Sequence, residues 1–599
     1  MSACPCRSGF KVTLLVGMLA TLSLIALSSS SSSAPADQSR VGRTIENFSL
    51  NDSRGAMRSL EDWSDSKLVV VAFLGTECPL ANLYTPRLAE LAARWSSKGV
   101  TFVGINSNQQ DSITEVAAHA QRGNTPFPIL KDPGNTIADR FGAVRTPEVF
   151  VLDQGRVVRY WGRIDDQYGI GFQKQKPVRE DLSQAIEELL AGKPVSQPTT
   201  EVAGCLIGRV KRPIPSGDVT YSNQIARILK NRCVECHHEG EIAPFSLTSY
   251  GEVVGWAEMI SEVVHERRMP PWQAAPEHGN FKNNPSLSKD EVAQIDQWIK
   301  NGCPEGNAAD LPSPSEYAKG WGISEPDQVF YMSDKPYTIP AEGVVNYQIY
   351  TVDPGFKEDR WIKQAEVKAG NPAVVHHVIV FVQEAGGDRF GAPQMAYAPG
   401  MTPRRFEKGV GIRVPAGSQL VFQVHYTPNG KEQQDLSYVG FVYADPKDIE
   451  YEVMGAACGD LGFKIPPGVS NHQVVARKLF LKDVVLLGMN PHMHLRGKSF
   501  RYELELPGGA REVLLDVPKY DFNWQLWYML KEPKLVPKGS RMICTASFDN
   551  SPDNLANPDP SKEVSWGEQT WDEMMFGFYS TIRPLASKPL PKNTSAAGN

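Results

Sequence analysis

The sequence predicts a multidomain protein in which an α/β domain comes first, an all-α domain follows, and two all-β sandwiches complete the chain. Three observations support this order. The 599 residues are too many for a single hydrophobic core, although the composition is that of globular protein. Strand-like and helical patterns alternate over residues 38–200, and helical patterns fill residues 215–312. Short alternating strands separated by Gly and Pro turns fill residues 325–583.

The N-terminus has the pattern of a secretory signal peptide, which we expect to occupy residues 1–36. Positive charge in "RSGFK" precedes the apolar run Val12–Leu27, and a serine run and "APA" follow. This run is short for a membrane-spanning helix, so an uncleaved anchor is the less favoured alternative. The pattern predicts an exported soluble protein, periplasmic or extracellular, without stable membrane insertion. The net charge of −6 gives no reason to expect nucleic acid as a partner.

A cysteine follows the first buried strand of the α/β block. The run "KLVVVAFLG" predicts a strand, "TPRLAELAARWSSKG" predicts an amphipathic helix, and Cys78 lies between them. Helix N-termini stabilise thiolates, so Cys78 is a candidate redox thiol. "RTPEVFVLD" adds Pro147 before a further strand. Residues 40–190 thereby resemble the thioredoxin-like redoxin family, and the resemblance implies a cis-proline packed beside the reactive cysteine.

Two departures from that family bear on activity. Ala81 stands where a CxxC motif needs its second cysteine, which excludes dithiol exchange through CxxC. Gly75 stands where peroxiredoxins carry a threonine, which argues against peroxide reduction. Cys205, which follows the linker-like "KPVSQPTTEVAG", is a candidate resolving partner for Cys78. A domain with only a structural role is the other interpretation.

The helical block carries a haem-attachment motif. "NRCVECHHEGE" contains Cys233, Cys236 and His237 as CxxCH, in which two thiols bind the haem vinyl groups and the histidine becomes the proximal iron ligand. A zinc site would need a second pair of ligands nearby, and the block offers none. "ERRMPPWQ" resembles the methionine loop of small cytochromes c, which implies Met269 as the distal ligand. The sequence therefore predicts a cytochrome c-like domain over residues 215–312 with covalently bound haem c.

Histidines concentrate in the β block. Five of the chain's 11 histidines lie in three strand-like contexts, "NPAVVHHVIVFVQ", "SQLVFQVHYTPNG" and "MNPHMHLRGK", and "GEQTWDEMMFGFY" adds methionine. Adjacent histidines on a regular strand face opposite ways, so His376 and His377 can share an ion only at a twist or bulge. Imidazole with thioether sulfur is a ligand set that favours copper. The candidate metal ligands are His376, His377, His425, His492, His494 and Met574.

The ordered series HH, QVHY, HxHxxG and DEM resembles the copper type II, ascorbate-dependent monooxygenases, which include peptidylglycine and dopamine monooxygenases. The resemblance covers residues 325–583. It implies two jelly-roll sandwiches, 325–446 and 447–583, with a solvent cleft between two copper sites, and leaves 584–599 as a disordered tail. One copper, which transfers electrons, would be held by His376, His377 and His425. The other, which binds O₂, would be held by His492, His494 and Met574.

Departures from this second family bear on substrate and on disulfides. Asn490 replaces the arginine that grips a substrate carboxylate in peptide-hydroxylating members, and Phe576 and Phe578 replace an asparagine and a tyrosine that contact substrate. The resemblance therefore implies a small organic substrate of low polarity. Met575 stands where cysteine is usual, so one family disulfide is lost, and Cys458 and Cys544 are left as a candidate pair.

Taken together, these motifs predict an exported oxidoreductase with two copper ions and haem c, which uses O₂ to hydroxylate a C–H bond. Electrons would come from an ascorbate-like or cytochrome donor and pass through the haem. Two alternatives stay open: a non-catalytic electron-transfer or copper-binding protein, and a thiol peroxidase centred on Cys78.

Overall fold

The structure is a computed structural model that describes the following parts of the chain: 40–210, 216–239, 241, 243–313, 320–341, 343, 345–387, 395–429 and 432–585. The predicted signal peptide and most of the predicted tail lie outside these residues. The last strand ends at Pro584, so the predicted tail boundary is one residue early. In the described parts of the chain, no helix is both long enough and apolar enough to cross a membrane.

The N-terminal domain is an α/β domain built on a five-stranded mixed sheet. Its strands are β1 (Ser49–Asn51), β2 (Met57–Ser59), β3 (Leu68–Phe73), β4 (Val100–Asn106), β5 (Ile129–Lys131), β6 (Arg145–Thr146), β7 (Glu148–Leu152), β8 (Val158–Gly162), β9 (Tyr168–Gly169) and β10 (Phe172–Gln173). Its helices are α1 (Pro79–Ser96), α2 (Ile113–Arg122), α3 (Thr136–Phe141) and α4 (Asp181–Leu190). The main sheet has the order β5-β4-β3-β7-β8, with β3, β4 and β5 parallel. Every residue of β3 is buried because both sheet faces are covered.

The segment after α4 belongs to this domain, so the predicted domain end at residue 200 is too early. Thr199 forms a bridge with Trp161, and β11 (Cys205–Leu206) pairs antiparallel with β6. An extended strand at the edge of a domain satisfies its backbone groups by pairing, which a flexible linker does not do.

Three α-helices form the second domain. They are α5 (Ala226–Arg232), α6 (Tyr250–His265) and α7 (Lys289–Lys300), and a π-helical turn precedes the first. Ser249 and Ser288 begin α6 and α7 with capping boxes that satisfy the first N–H groups. Trp256 and Trp298 fill the small core between the helices.

The described residues from 320 onward form a region that consists mainly of β-strands. Its strands are β12 (Gln328–Tyr331), β13 (Tyr337–Ile339), β14 (Gln348–Val352), β15 (Arg360–Lys368), β16 (Val375–Gln383), β17 (Met395–Tyr397), β18 (Arg404–Arg405), β19 (Val410–Val414), β20 (Gln419–Tyr426), β21 (Gln433–Asp435), β22 (Tyr438–Tyr443), β23 (Tyr451–Gly459), β24 (Lys464–Ile465), β25 (His472–Leu479), β26 (Val484–His492), β27 (Gly497–Glu505), β28 (Arg511–Val517), β29 (Tyr528–Val536), β30 (Arg541–Phe548), β31 (Val564–Ser565) and β32 (Phe576–Pro584). Two hydrophobic cores lie in this region, and the first also contains residues beyond 446, namely Val453, Val485 and Ile582.

A shared sheet joins the two halves, which the prediction of two sandwiches did not include. Nine strands form it in the order β12-β22-β15-β19-β23-β32-β26-β29, with β18 paired to β15. The parallel pairing of β19 with β23 is the junction. A four-stranded sheet covers each half, β14-β20-β16-β17 on the first and β25-β30-β27-β28 on the second. Backbone hydrogen bonds therefore hold the halves in one orientation.

The loop between α6 and α7 packs on the second half of the β region. Phe281 forms a bridge with Leu530, and the ring of Trp272 lies 4.7 Å from that of Tyr528. Asn283 donates to the Trp527 carbonyl at 2.7 Å. This contact places the helical domain against the part of the β region that carries the histidine motifs.

Candidate thiol and metal centres

Cys78 lies at the N-terminus of α1, immediately before Pro79, as the sequence predicts. Its thiol donates to the Thr146 carbonyl at 2.9 Å, and the Thr146–Pro147 peptide is cis, which confirms the predicted proline beside the cysteine. Burial by itself would raise the pKa of the Cys78 thiol. Hydrogen bonds to Cys78 from the thiol of Cys205 and from the Thr146 side chain outweigh burial and lower that pKa to about 6.

Cys205 is the second thiol of this site. It pairs in register with Thr146 across β11 and β6, which brings its sulfur to Cys78. Hydrogen bonding to Cys78 and then burial raise the pKa of Cys205 well above the ordinary value. The two thiols therefore favour one thiolate, on Cys78, stabilised by the other thiol. The sequence could identify Cys205 only as a candidate partner, because 127 positions separate it from Cys78. The pairing of β6 with β11 brings the two cysteines together.

The low pKa of Cys78 predicts a thiolate at neutral pH. The ultraviolet thiolate absorbance of the reduced protein is expected to contain one step with a midpoint near pH 6, and this step is expected to be absent in Cys78→Ser. Cys303→Ser is the matched control because Cys303 is equally buried but lies in the helical core. A step that survives in Cys78→Ser, or a midpoint near the ordinary thiol value, would contradict the assignment.

The CxxCH residues lie just after α5. Burial is the main cause that raises the pKa of Cys233 to about 12 and of Cys236 to about 11, so both are protonated thiols. His237 Nδ1 lies 3.1 Å from the Phe245 carbonyl, and a carbonyl only accepts. This contact makes Nδ1 the protonated nitrogen and leaves the lone pair on Nε2. Met269 follows α6, where its N–H donates to the Val263 carbonyl, and Pro270 continues the loop toward the β region.

His376, His377 and His425 form one cluster. One ligand atom from each lies within 4.8 Å of the others, and the three ring centroids are 5.0 to 5.3 Å apart. The register between β16 and β20 shifts between Val375 and His377, which confirms the bulge that adjacent histidines need. Burial, followed by repulsion from neighbouring histidines, lowers the pKa of each imidazole. All three are therefore neutral and able to offer a lone pair.

His492 and His494 form a second cluster, with ring centroids 5.3 Å apart. β26 ends at His492, so the interpretation of both histidines on one strand face is wrong for His494. His494 reaches the cluster from the turn that follows. His492 Nδ1 bonds to Gln525 Oε1 at 2.8 Å, and His494 Nδ1 lies 3.4 Å from the Asp572 carbonyl. Each ring thus keeps its Nε2 for another partner.

Glu573 holds the second cluster together, and sequence reasoning missed it. Its buried carboxylate accepts backbone N–H bonds from His494, from Arg496 at 3.0 Å and from Met574 at 2.9 Å. Burial raises the pKa of Glu573 to about 7. The candidate ligands His494 and Met574 come from distant segments of the chain, and the Glu573 side chain joins their backbones. The signal was present in the DEM motif, where an acid precedes the methionine.

Phe522 contacts both clusters. Its ring stacks on His376 with centroids 4.7 Å apart and meets His494 edge-on at 5.9 Å. Thr570 from the second half reaches His425 Nε2 at 3.3 Å. The resemblance implies a solvent cleft between the sites, whereas the described structure puts one aromatic ring in contact with both clusters. The ring comes from the segment between β28 and β29, for which the motifs carry no signal.

A small cavity opens beside both clusters. It is lined by His377 and His492 together with apolar side chains, among them Ile379, Met401, Trp527 and Phe578. Asn490 also lines the cavity. Its side-chain amide donates to the backbone carbonyls of Gln525 and Leu526, so these N–H groups are already used in protein hydrogen bonds. The stacked rings of Phe576 and Phe578 lie where the resemblance places polar substrate contacts.

Tyr397 lies in the wall of this cavity. Its ring lines the cavity with His377, and its buried hydroxyl has no hydrogen-bond partner among the described residues. Burial is the main cause that raises the pKa of Tyr397, and the negative charge of Glu241 adds to it. Glu241, which follows the CxxCH motif, is therefore close enough to Tyr397 to act on it through its charge.

In the described part of the chain, Cys458 and Cys544 form no disulfide, and neither do Cys78, Cys205, Cys233 and Cys236. Cys458 and Cys544 are buried and interact through their side chains, so the structure brings the predicted pair together without a bond between them.

Comparison with known proteins identifies the N-terminal domain. The AhpC/TSA family matches residues 41–161. The thiol-disulfide oxidoreductase ResA of Bacillus thuringiensis subsp. konkukian (strain 97-27) is 26% identical over 124 residues, which cover 20% of this chain and 70% of that protein. The crystal structure of a hypothetical protein from Sinorhizobium meliloti 1021 matches this chain with 32% sequence identity and a TM-score of 0.27. The match covers 28% of this chain and 94% of that protein. The crystal structure of peroxidoxin BcpB from Mycobacterium tuberculosis matches with 22% sequence identity and a TM-score of 0.20. The match covers 25% of this chain and 94% of that protein.

Residues 41–161 are thus an AhpC/TSA-type, thioredoxin-like redoxin domain, and a large β-rich region follows the helical segment. This domain is similar to thiol-disulfide oxidoreductases and to peroxiredoxins.

Proposed function

We propose that the chain is an exported oxidoreductase that holds two copper ions and a covalent haem, and that hydroxylates a C–H bond of a small, weakly polar substrate with O₂. The observation that carries this proposal is the pair of buried, neutral histidine clusters beside one cavity. The balanced reaction is RH + O₂ + 2e⁻ + 2H⁺ → ROH + H₂O. Export is inferred from the signal pattern of residues 1–36.

The donor atoms fit a soft metal ion. His376 Nε2, His425 Nδ1 and His494 Nε2 are buried and have no hydrogen-bond partner among the described residues. A buried polar atom without a partner is costly, and a bound ion removes that cost. His376, His377 and His425 would hold one ion, and His492, His494 and Met574 the other. Copper held there would supply one-electron redox chemistry and O₂ binding.

Further hydrogen bonds orient the proposed metal ligands. Gln525 fixes the ring of His492, and the Asp572 carbonyl fixes the ring of His494, so the protonated nitrogen of each faces away from the cluster. Glu573 holds the Met574 backbone beside that of His494. The chain therefore positions imidazole and thioether donors before any ion arrives.

The helical domain fits covalent haem. Cys233 and Cys236 are unbonded thiols at the required spacing, and His237 keeps Nε2 for iron while Nδ1 is held by the Phe245 carbonyl. Haem bound there would supply one-electron transfer. Met269, in the loop that reaches the β region, is the proposed distal ligand.

Two observations support electron transfer within the chain. The loop after Met269 packs on the β region through Trp272 and Phe281. Tyr397 lines the cavity with His377, and the charge of Glu241, which follows the CxxCH motif, acts on it. A donor and an acceptor on one chain need no diffusional encounter, since their effective concentration is high.

The lining of the cavity, and not its volume of about 30 Å³, favours a weakly polar substrate. Its lining is mainly apolar, and the Asn490 side chain is occupied by the Gln525 and Leu526 carbonyls. No lining side chain is a cation that could grip a carboxylate. Phe576 and Phe578 continue the apolar wall.

Metal analysis with optical and oxygen measurements tests the proposal. The full-length protein, exported by its host and dialysed, is expected to contain two copper ions and one haem per chain and to take up O₂ only when a hydrophobic substrate is supplied. Protein with iron and without copper would refute it. Protein with both metals and no substrate-dependent O₂ uptake would identify the non-catalytic electron carrier instead. Ferrous haem that stays reduced for minutes in the aerated, copper-loaded protein would disprove the internal electron route.

Thiol redox chemistry at Cys78 is a second candidate function, because this thiol has a low pKa and a second thiol in contact with it. It is independent of both metal proposals.

A further inference from the structure

Two cysteines lie between the two sheets of the second β half. Cys458 is on β23 of the nine-stranded sheet, and Cys544 is on β30, an inner strand of the four-stranded sheet. Both side chains belong to the same hydrophobic core, where Cys458 is 1% exposed and Cys544 is 0% exposed. The two thiols therefore approach each other from opposite sheets.

Gly577 makes room for this approach. Its Cα lies opposite that of Cys458 in the β23–β32 register, at the spacing of about 4.5–5.5 Å that antiparallel partners have. A Cβ atom at residue 577 would lie 2.5 Å from Cys544 Sγ. The sulfur of Cys544 thus occupies the place that a side chain at residue 577 would fill, next to Cys458.

The thiol of Cys458 points toward β30. It donates to the carbonyl of Met542, two residues before Cys544, at 3.7 Å. A hydrogen bond from the Cys544 thiol lowers the pKa of Cys458, while burial is the main cause that raises the pKa of Cys544. Cys458 is therefore the thiol of the pair that loses its proton more readily, and the thiolate is the form that attacks a disulfide.

We propose that Cys458 and Cys544 form a disulfide in the exported protein, and that this bond links the two sheets of the second β half behind the second histidine cluster. Disulfides persist outside the cytoplasm, whereas cytosolic reductants keep thiols reduced. The inference therefore rests on export, which is part of the proposed function. It does not depend on copper, on haem or on the thiol of Cys78.

The bond would hold the strands that carry a proposed metal ligand. β32 lies between β23 and β26, and Gly577 pairs with Cys458 on one side and with Pro491 on the other. His492 follows Pro491, and Phe578, which lines the cavity, follows Gly577. A sulfur bridge at this position fixes the backbone behind His492 to the opposite sheet.

Two thiol–disulfide exchanges form the bond, with an external disulfide R′SSR′ as the oxidant. The Cys458 thiol loses its proton, its sulfur attacks one sulfur of R′SSR′, the external S–S bond breaks, and the first R′S⁻ leaves and takes up the proton. The Cys544 thiol then loses its proton and attacks the Cys458 sulfur of the mixed disulfide, and the second R′S⁻ leaves and takes up that proton. The sum is 2 RSH + R′SSR′ → RSSR + 2 R′SH.

Burial determines when the exchange takes place. In the folded chain both sulfur atoms lie inside the core, beyond the reach of an external disulfide. The thiols therefore meet the oxidant before the two sheets close on each other. The same burial protects the finished bond from external reductants until this half of the β region unfolds.

Mass spectrometry of the exported full-length protein tests the bond. The protein is unfolded in an alkylating agent without reductant and is then digested. Cys458 and Cys544 are expected in one disulfide-linked pair of peptides, and Cys544→Ala is expected to leave Cys458 alkylated.

A refolding experiment separates the bond from export. Reduced, unfolded protein is refolded in a buffer of oxidised and reduced glutathione, where the same linked pair is expected. Reduced protein that is already folded is expected to stay reduced in that buffer. Absence of the linked pair after refolding would overturn the proposal. Its presence there and its absence from the isolated protein would show instead that export, and not the pairing of the thiols, is wrong.

Urea unfolding measures the effect of the bond. A disulfide lowers the conformational entropy of the unfolded chain, more so for a long loop, and 86 positions separate the two cysteines. Reductant present throughout is expected to lower the unfolding midpoint of the second β half by about 1–2 M urea. This midpoint is followed by hydrogen exchange of peptides from β27 and β30.

Two variants control for the loss of a buried side chain. In Cys544→Ala the reductant is expected to cause no shift, even though the substitution itself lowers the midpoint. Cys303→Ala is the matched control, because Cys303 is equally buried but lies in the helical core, and it should keep the full shift. An equal effect of reductant on the wild type and on Cys544→Ala would overturn the link between the sheets.

Discussion

Replacing His425 by alanine is expected to remove one of the two proposed copper ions and to leave the haem and the other ion in place. His425 supplies one of three nitrogen donors of the first cluster, and its Nδ1 is a buried atom without a partner among the described residues. Two imidazoles, His376 and His377, would remain, which is one donor fewer than the proposed site provides. The second cluster draws its donors from other segments, so its ion should be retained.

The measurement is copper and iron per chain after dialysis against a weak chelator, with the haem spectrum as an internal standard. His472→Ala is the matched control, because His472 lies on β25 of the second half, away from both clusters. The converse variant, His494→Ala, is expected to remove the other ion. Full copper content in His425→Ala, or the loss of both ions, would contradict two separate sites.

Replacing Glu573 by alanine is expected to destabilise the second β half by about 3–5 kcal/mol, because several buried N–H donors lose their acceptor and each unsatisfied buried donor costs about 1–3 kcal/mol. Three N–H groups lose their acceptor, from His494, Arg496 and Met574. The guanidinium of Arg496, which is 2% exposed, loses its neighbouring carboxylate and keeps only the Asn550 and Trp571 oxygens. An unpaired buried cation is costly.

Urea unfolding of the metal-free protein measures this loss without a contribution from bound copper. Glu573→Gln keeps an acceptor oxygen and the side-chain shape, so it should lose less stability than Glu573→Ala. Glu568→Ala is the control, because Glu568 is exposed in the same loop. An unfolding midpoint for Glu573→Ala equal to that of Glu568→Ala would show that the carboxylate does not hold the cluster.

The His376–His377 pair shows what the alternation of side chains along a strand can predict. Alternation along a strand required a bulge if the two rings were to share a site, and the β16–β20 register contains that shift. The same rule failed for His494, because β26 ends at His492 and the turn, not the strand, sets the direction of the next side chain. The alternation of side chains applies only within the strand and ends where the strand ends.

Tertiary packing also placed a hydroxyl near Gly75 and Cys78. Gly75 removes a threonine from the expected place in the chain, and a Cβ atom at residue 75 would lie 3.0 Å from the hydroxyl oxygen of Thr146. The linker-like segment became strand β11 and carried Cys205 to the thiol. Neither contact has a signal in local composition, since the partners are separated by many residues.

The amino-acid sequence by itself determined the order of an α/β, a helical and a β-rich region, the thiol at the start of α1 and the histidine-rich segments, because periodicity, capping and motif spacing are local properties. Only the tertiary structure decided that Cys205 meets Cys78, that Phe522 contacts both histidine clusters and that Glu573 joins two of their segments. Each of these depends on strands that pair across more than fifty residues or on a loop whose position is set by what it packs against. Long-range pairing is chosen by the whole fold, and no single stretch of sequence encodes it.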